Sequence, residues 1–294
     1  MQIIERVLKA LLNRLRRRND TETKDFSESS ASVDLSYAFG LPPEKAIEYF
    51  KSKGYAFTWD WYDMWQEAHA KAFTVAKIGR MDILQDIRDA LQKALDEGTT
   101  FQQFKKDLTP TLQAKGWWGR QMIMDETGAA GEVQLGSPWR LKTIYETNLQ
   151  IAYGVGRDKE MMENNDDRPY RQWVAVLDRK TRRSHMAMNG KVFRHDDLPV
   201  PFLPCDWGCR CHWRALSEAN LTKRNLTVES AKENRTTEER PIGQTGNKAE
   251  VTVYTDPVTG AKVSTGIGWN YNPGEVAYKP DLRKYDKDIA KLYD

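Results

Sequence analysis

The chain has 294 residues, of which 39% are hydrophobic and 30% are charged, and its 10 Trp, 12 Tyr and 9 Phe predict a real core in a polar, soluble protein. No apolar run approaches the ~20 residues that cross a bilayer, and a net charge of +3 selects no class of partner. The three cysteines, an odd number, argue against a secreted disulfide framework and favour a reducing cytoplasm.

Residues 2–18 predict an amphipathic helix with a basic end, because apolar residues recur there at helical spacing. These are Ile4, Val7, Leu8, Leu11 and Leu15. The basic residues follow the apolar ones, which is the reverse of a secretory signal. The helix either docks on a neighbouring subunit or contacts phosphates or an anionic membrane. Residues 19–33 predict a flexible linker that completes a first segment, 1–33.

Residues 34–120 predict an α-helical domain of four amphipathic helices with short connections. Pro43 opens the first helix, and Thr58 caps the second. Asp82 starts the third helix. Thr100 caps the fourth, as the first residue of the capping box Thr-Phe-Gln-Gln.

Residues 121–214 are predicted to hold a long helix followed by a small module of short strands. Residues 121–136 are rich in glycine and are predicted to be irregular. Ser137 and Pro138 then supply the N-cap and the first-turn proline of a helix that runs to about Met162.

The module is centred on residues 170–213, which contain all three cysteines. The apolar, β-branched run at 173–177 predicts a strand. Asn189-Gly190 predicts a turn before a second short strand, because both residues tolerate positive φ.

Two interpretations of the cysteines stay open. In the first, His185, Cys205, Cys209 and Cys211 bind a structural zinc ion that holds together a region with little core of its own. A Cys-x-Cys pair on one strand points its thiols to opposite faces, so this interpretation requires a kinked backbone. In the second, the thiols are free and buried, and His185 hydrogen-bonds a carboxylate such as Asp178.

The chain becomes polar after the module. Residues 215–250 hold almost no large apolar residues and predict an extended, poorly packed arm. Residues 251–264 predict a β-hairpin within the last segment, 251–294. A loop follows in which Trp269 and Tyr271 are expected to anchor the chain, and residues 279–294 predict a terminal helix.

Basic residues cluster around the two predicted strands of the module. They are Arg179, Lys180, Arg182, Arg183, Lys191 and Arg194. This cluster predicts a face that contacts DNA phosphates. The alternative is that these residues pair with nearby acids, among them Asp178, Asp196 and Asp197.

An active site is not predicted. His185, Asn189 and His195 invite comparison with a His-Asn-His nuclease, but the turn explains Asn189 better. No acidic pair is spaced to hold a metal ion, and neither G-x4-GK[ST] nor G-x-S-x-G occurs in the sequence. A metal-dependent nuclease or a zinc-stabilised DNA-binding module is the alternative function.

One set of residues in the module forms a motif: Asp178, Arg182, His185, Gly190, Phe193, Cys209, Arg210 and Cys211. This motif resembles the core of the phage Mu F-like head-morphogenesis proteins, which are minor head proteins of tailed phages and prophages. Family-like motifs at 43–54, 69–75, 84–98, 140–157 and 269–274 extend the resemblance over most of the chain. In many relatives a Cys-x2-Cys pair stands at Arg182 and His185 and a histidine at Asp206, so this chain departs from the cysteine-rich branch.

The elements predict an α+β fold: a mainly α-helical N-terminal half, then a small α+β module with short strands, a Cys/His cluster and a C-terminal β-hairpin. The resemblance implies a minor head protein that acts at or near the portal vertex, present in the virion and, during assembly, in the host cytoplasm. The expected partners are portal protein and/or major capsid protein, with DNA as a further candidate. Whether the protein leaves the head with the DNA stays open.

Overall fold

The computed structural model describes residues 43–124, 130–243 and 245–277. The predicted N-terminal helix, the linker and the C-terminal helix lie outside these ranges. Within them the chain combines helices with small sheets, which confirms the predicted α+β class. None of the helices in these ranges is both long enough and apolar enough to cross a bilayer.

The helices of the described residues are α1 (Glu44–Lys51), α2 (Glu67–Lys71), α3 (Met81–Glu97), α4 (Phe101–Ala114), α5 (Pro138–Glu163), α6 (Arg183–Ala187), α7 (Glu218–Arg224) and α8 (Pro273–Ala277). The strands are β1 (Gly54–Tyr55), β2 (Ala72–Phe73), β3 (Arg120–Met124), β4 (Ala130–Gln134), β5 (Tyr170–Val174), β6 (Val192–Arg194), β7 (His212–Leu216), β8 (Val228–Glu229), β9 (Arg235–Pro241), β10 (Lys248–Thr255) and β11 (Lys262–Ser264). A 3-10 turn, Lys232–Asn234, precedes β9.

The strands form small sheets, and two of these build the module. One has the order β7-β5-β6-β8, in which β6 and β8 are parallel and the other pairs antiparallel. The second, β11-β10-β9, is antiparallel and contains the predicted C-terminal hairpin, which is confirmed. In the helical region β1 and β2 pair in parallel, and β3 and β4 form an antiparallel hairpin.

The helical region, α1 and α3 to α5, closes around one apolar core. The apolar residues of α3 lie one turn apart and are fully buried: Leu84, Ile87, Leu91 and Leu95. α3 ends at Gly98, whose φ of 67° is the left-handed conformation that terminates helices. α4 starts at Thr100, whose hydroxyl accepts the Gln103 N–H at 3.4 Å. Both helices were predicted from these signals.

The long helix α5 is also confirmed, with the Ser137 hydroxyl accepting the Arg140 N–H at 3.2 Å. Most of its buried face joins the helical core, whereas the sequence grouped it with the module. Two glycines allow close contacts along it. A Cβ at Gly156 would lie 3.0 Å from the Ala46 nitrogen of α1, and one at Gly154 would lie 2.7 Å from the Phe202 ring.

The second predicted helix is wrong for most of its length. Only Glu67–Lys71 is helical, and Thr58 is not its cap but hydrogen-bonds the Thr74 hydroxyl at 2.7 Å. The Asp63 carboxylate accepts the backbone N–H groups of Trp59 and Asp60 at 2.8 and 2.6 Å. Such local side-chain bonds give the backbone an alternative to the helix.

The segment predicted to be irregular, 121–136, contains the β3–β4 hairpin instead. Ile123 and Val133 pack against the helical core. Successive side chains of a strand point to opposite faces, and the glycines obscured this alternation in the sequence. The hairpin therefore has one face on the core and one face exposed.

The polar segment 215–250 is not an extended, poorly packed arm. It includes the end of β7, α7, β8 and β9, and β9 pairs with β10 from Arg235 to Pro241. The side chains of β9 are mostly exposed. Backbone pairing needs no apolar side chains, so the composition did not reveal it. The division into five segments otherwise stays a prediction.

Candidate functional site

The three cysteines lie around His185 in the core of the module. His185 is held on the short helix α6, and Cys205, Cys209 and Cys211 lie in the irregular loop before β7. The Cys209 N–H donates to the Asp206 carbonyl at 3.0 Å, and Gly208 takes a φ of 65° within this turn. This turn lies just before Cys209, and residues 209–211 are not part of a strand, so the alternation of a strand does not separate the two thiols.

The geometry brings together three of the four predicted zinc ligands. The His185 Nδ1 lies 3.6 Å from the Cys209 Sγ and 3.5 Å from the Cys211 Sγ. These three atoms all lie within 4.8 Å of one another. Cys205 is also fully buried and interacts with Cys209 and Cys211, but its sulfur does not belong to the group of three converging atoms. The four side chains form what we call the Cys/His cluster.

Contacts within the cluster shift the pKa values of its thiols in opposite directions. Hydrogen bonds from Cys205 and Cys211 lower the pKa of the Cys209 thiol. The same contacts with Cys209, together with burial, raise the pKa of Cys205 and Cys211. Cys209 is therefore the thiol of the cluster that most readily loses its proton, and a thiolate is the form of cysteine that binds metal ions.

The hydrogen bond expected between His185 and Asp178 is wrong. Asp178 accepts two hydrogen bonds from Arg210, one of them at 2.7 Å, and also accepts the Thr181 hydroxyl at 3.1 Å. The bonds from Arg210 lower the pKa of Asp178. This pair ties the loop after β5 to the cysteine loop.

The other residues of the motif have structural contacts. Arg182 pairs with Asp206 at 3.0 Å and donates to the Trp207 carbonyl at 2.7 Å. Gly190 has a φ of 88°, as the predicted turn requires. Phe193 is fully buried with its ring edge-on to Tyr254 of β10.

The basic residues proposed for DNA contact are not equivalent. Arg179, Lys180 and Arg183 are exposed. Arg194 pairs with Asp196 at 3.1 Å, and Arg182 pairs with Asp206.

Lys191 does not lie on a basic face. Its side chain is 14% exposed and its Nζ lies 2.7 Å from Glu229 and 2.9 Å from Asp256. Burial lowers the pKa of Lys191, but the two carboxylates raise it more, so the net shift is upward. Lys191 is thus an internal cation rather than a phosphate contact.

The three residues compared with a nuclease have separate neighbours. His185 faces the thiols, and the Asn189 side chain accepts the Ala175 N–H at 2.9 Å, which supports the turn. His195 lines a different, open cavity of about 390 Å³ beside Tyr271 and Glu275.

Sequence patterns did not identify two buried charged residues of the module, Arg171 and Asp256. Arg171, 1% exposed, donates to the Met161 carbonyl at 3.0 Å and to the Asn165 side chain at 2.8 Å, so it joins the end of α5 to β5. Asp256, also 1% exposed, appeared in the sequence only as a turn residue. Its ionic partner Lys191 lies 65 residues away along the chain, and no local pattern indicates this pair.

The loop with Trp269 and Tyr271 is anchored, as expected. Trp269 packs edge-on against Trp207 of the cysteine loop, with ring centroids 5.4 Å apart. The Asn272 side-chain amide donates to Asp158 of α5 at 2.8 Å. The loop is therefore joined both to the cysteine loop and to the long helix.

Residues 85–214 match the family of phage Mu protein F-like proteins. The chain is 44% identical over 255 residues to "Putative capsid assembly protein F" of Escherichia phage Mu, an alignment that covers 85% of this chain and 58% of that protein. It is 42% identical over 230 residues to the "Mu-like prophage FluMu F protein" of Haemophilus influenzae, covering 76% of this chain and 55% of that protein. The chain thus spans somewhat more than half the length of these relatives. No solved structure matches it.

Proposed function

Because the chain is a relative of the phage Mu F proteins, as its motifs indicated, we propose that it is a structural protein of head assembly in a tailed phage or prophage. The observation that carries this proposal is the 44% identity to a phage Mu protein named for capsid assembly. The role is that of a minor head protein at or near the portal vertex. It contacts portal protein and/or major capsid protein, in the virion and, before that, in the host cytoplasm.

The neighbours of the candidate catalytic residues favour a structural role over the nuclease alternative. Asn189 supports a turn, and His185 belongs to the Cys/His cluster. In the residues that the structure describes, the motif side chains pair with one another or pack in the module core. We therefore assign the module a docking and packing role without catalysis.

The outer face of the β3–β4 hairpin is the surface that best fits a contact with the portal protein. Met122 and Met124 point away from the core on the same face of β3, and they are 67% and 74% exposed. Ile123 between them packs inward. Large exposed apolar side chains on one face favour a protein contact, and methionine adapts to irregular partner surfaces.

Co-expression with the portal protein of the same phage tests both the role and the surface. The double substitution Met122→Glu and Met124→Glu is expected to reduce co-purification about tenfold, because two charges would be desolvated in the contact. Met162→Glu, at an exposed methionine of α5, is the matched control and should leave recovery unchanged. If the double variant is recovered as well as the wild type, the hairpin surface is excluded as the contact with the portal protein. Absence of the protein from heads at every stage of assembly, measured by mass spectrometry, would contradict the role.

A contact with DNA has one observation in its favour, the exposure of Arg179, Lys180 and Arg183 at the start of α6. Gel retardation at low salt, lost at physiological salt, is the expected behaviour of weak phosphate binding. Replacing all three residues by alanine should reduce the slope of log affinity against log salt by about 2–3. An unchanged slope would exclude these residues from the contact.

A further inference from the structure

We propose that His185, Cys205, Cys209 and Cys211 bind one zinc ion that joins α6 to the cysteine loop. His185 Nδ1, Cys209 Sγ and Cys211 Sγ form the converging part of the site, within 4.8 Å of one another. All of these residues are buried. The zinc site is a proposal separate from the role in head assembly, because docking on another head protein does not require a metal ion.

The observed separations fit a tetrahedral ion. Zinc bonds of about 2.3 Å to sulfur and about 2.0–2.1 Å to nitrogen place a sulfur and a nitrogen ligand about 3.6 Å apart. The two sulfur–nitrogen distances are 3.6 and 3.5 Å. The separations of His185 Nδ1 from the Cys209 and Cys211 sulfurs thus match those of a tetrahedral zinc site.

Hydrogen bonding alone explains this arrangement poorly. A neutral imidazole nitrogen that accepts has one lone pair in the ring plane, so Nδ1 accepts one hydrogen bond well. Two thiols lie at nearly equal distances from that nitrogen. One cation at the centre satisfies both sulfurs and the nitrogen together.

Cys205 is assigned as the fourth ligand because it is fully buried beside Cys209 and Cys211. Its sulfur lies outside the group of three converging atoms, so its side chain has to turn toward the ion on binding. Its backbone is held in place, since its carbonyl accepts the Gly266 N–H at 2.8 Å. On binding, the three thiols release their protons to solvent and His185 coordinates as a neutral imidazole. The guanidinium groups of Arg182 and Arg210 line the same cleft as the cluster, and each pairs with a carboxylate, Asp206 and Asp178 respectively.

The first experiment measures zinc by mass spectrometry in the full chain, purified under reducing conditions from zinc-supplemented cells without a polyhistidine tag. About one zinc per chain is expected. A folded wild-type protein with less than about one tenth of that content would overturn the proposal. This measurement decides the question even if a variant fails to fold.

Substitutions then identify the ligands. His185→Gln, Cys209→Ser and Cys211→Ser should each lose zinc, whereas His195→Gln, a matched histidine outside the cluster, should retain it. After cobalt(II) replaces zinc, the sulfur-to-cobalt absorption should fall by about one third in Cys205→Ser, because one of three thiolates is lost. Full absorption in that variant would overturn the assignment of Cys205. Neither result bears on binding to the portal protein, so the two proposals fail separately.

Discussion

The helical region and the module are held together by different kinds of contact. In the helical region the buried residues are almost all apolar, and each helix contributes a stripe that is visible within its own sequence. In the module the apolar core also contains a buried ion pair between distant residues, Lys191 with Asp256. An apolar stripe needs only a face to pack against, whereas a buried charge needs one particular partner. The module therefore depends more on individual side chains.

The largest expected effect tests the apolar character of the helical region. Leu91 of α3 is completely buried, so Leu91→Ala removes apolar contacts and leaves a cavity. We expect the free energy of unfolding, measured in urea, to fall by about 4 kcal/mol. Met81→Ala, at an exposed position of the same helix, should change it little. A loss below about 1 kcal/mol in Leu91→Ala would show that the core is loosely packed.

The next effect tests whether the charges of the module support its fold. The Asp256 side chain is fully buried, pairs with Lys191 and accepts the Thr259 N–H at 3.2 Å. Asp256→Ala leaves Lys191 with Glu229 alone, and we expect a loss of about 3 kcal/mol in urea unfolding. Glu239→Ala removes an exposed pair with Lys248 in the same sheet and is the control. Equal losses in the two variants would mean that burial of the charge is unimportant here.

The last effect depends on pH and concerns the buried Lys53, an exception to the apolar character of the helical region. Burial lowers the pKa of Lys53 to about 7. The unfolded chain keeps this proton up to about pH 10. Between pH 7 and pH 10 the unfolded state binds more protons than the folded state. The free energy of unfolding therefore rises with pH across this range, and this gain is lost as the pH falls to 7.

Lys53 is expected to change the free energy of unfolding by at most about 1.4 kcal/mol per pH unit in this range. Urea unfolding between pH 7 and pH 10 should show a flatter profile for Lys53→Met than for the wild type. Lys106→Met, at an exposed position of α4, should keep the wild-type slope. Parallel profiles for all three proteins would contradict the pKa of Lys53.

Sequence patterns predicted the elements that carry their own boundary signals. Thr100 and Gly98 marked the helix ends correctly because a cap binds backbone groups within a few residues. Thr58 is the same kind of residue and misled the prediction, because its hydroxyl binds Thr74. A cap residue indicates a helix only where no distant partner competes for it.

In the candidate site, the histidine and the cysteines that suggested zinc are neighbours. The sequence did not determine how they are arranged. On a regular strand Cys209 and Cys211 would point to opposite faces, but both lie in the loop before β7. The sequence also suggested Asp178 as a hydrogen-bond partner of His185, but in the structure the Asp178 carboxylate accepts a hydrogen bond from Arg210. Both outcomes depend on contacts between segments more than 20 residues apart.

The sequence by itself determined the helices α3, α4 and α5, the C-terminal hairpin and the relation to the phage Mu F proteins. These follow from periodicity, capping and motifs, all of which act over short stretches of chain. Only the tertiary structure decided that 215–250 forms strands, that Lys191 is internal and that the thiols converge on His185. The reason is physical: backbone pairing, burial of a charge and convergence of ligands are each set by a partner that is distant along the chain.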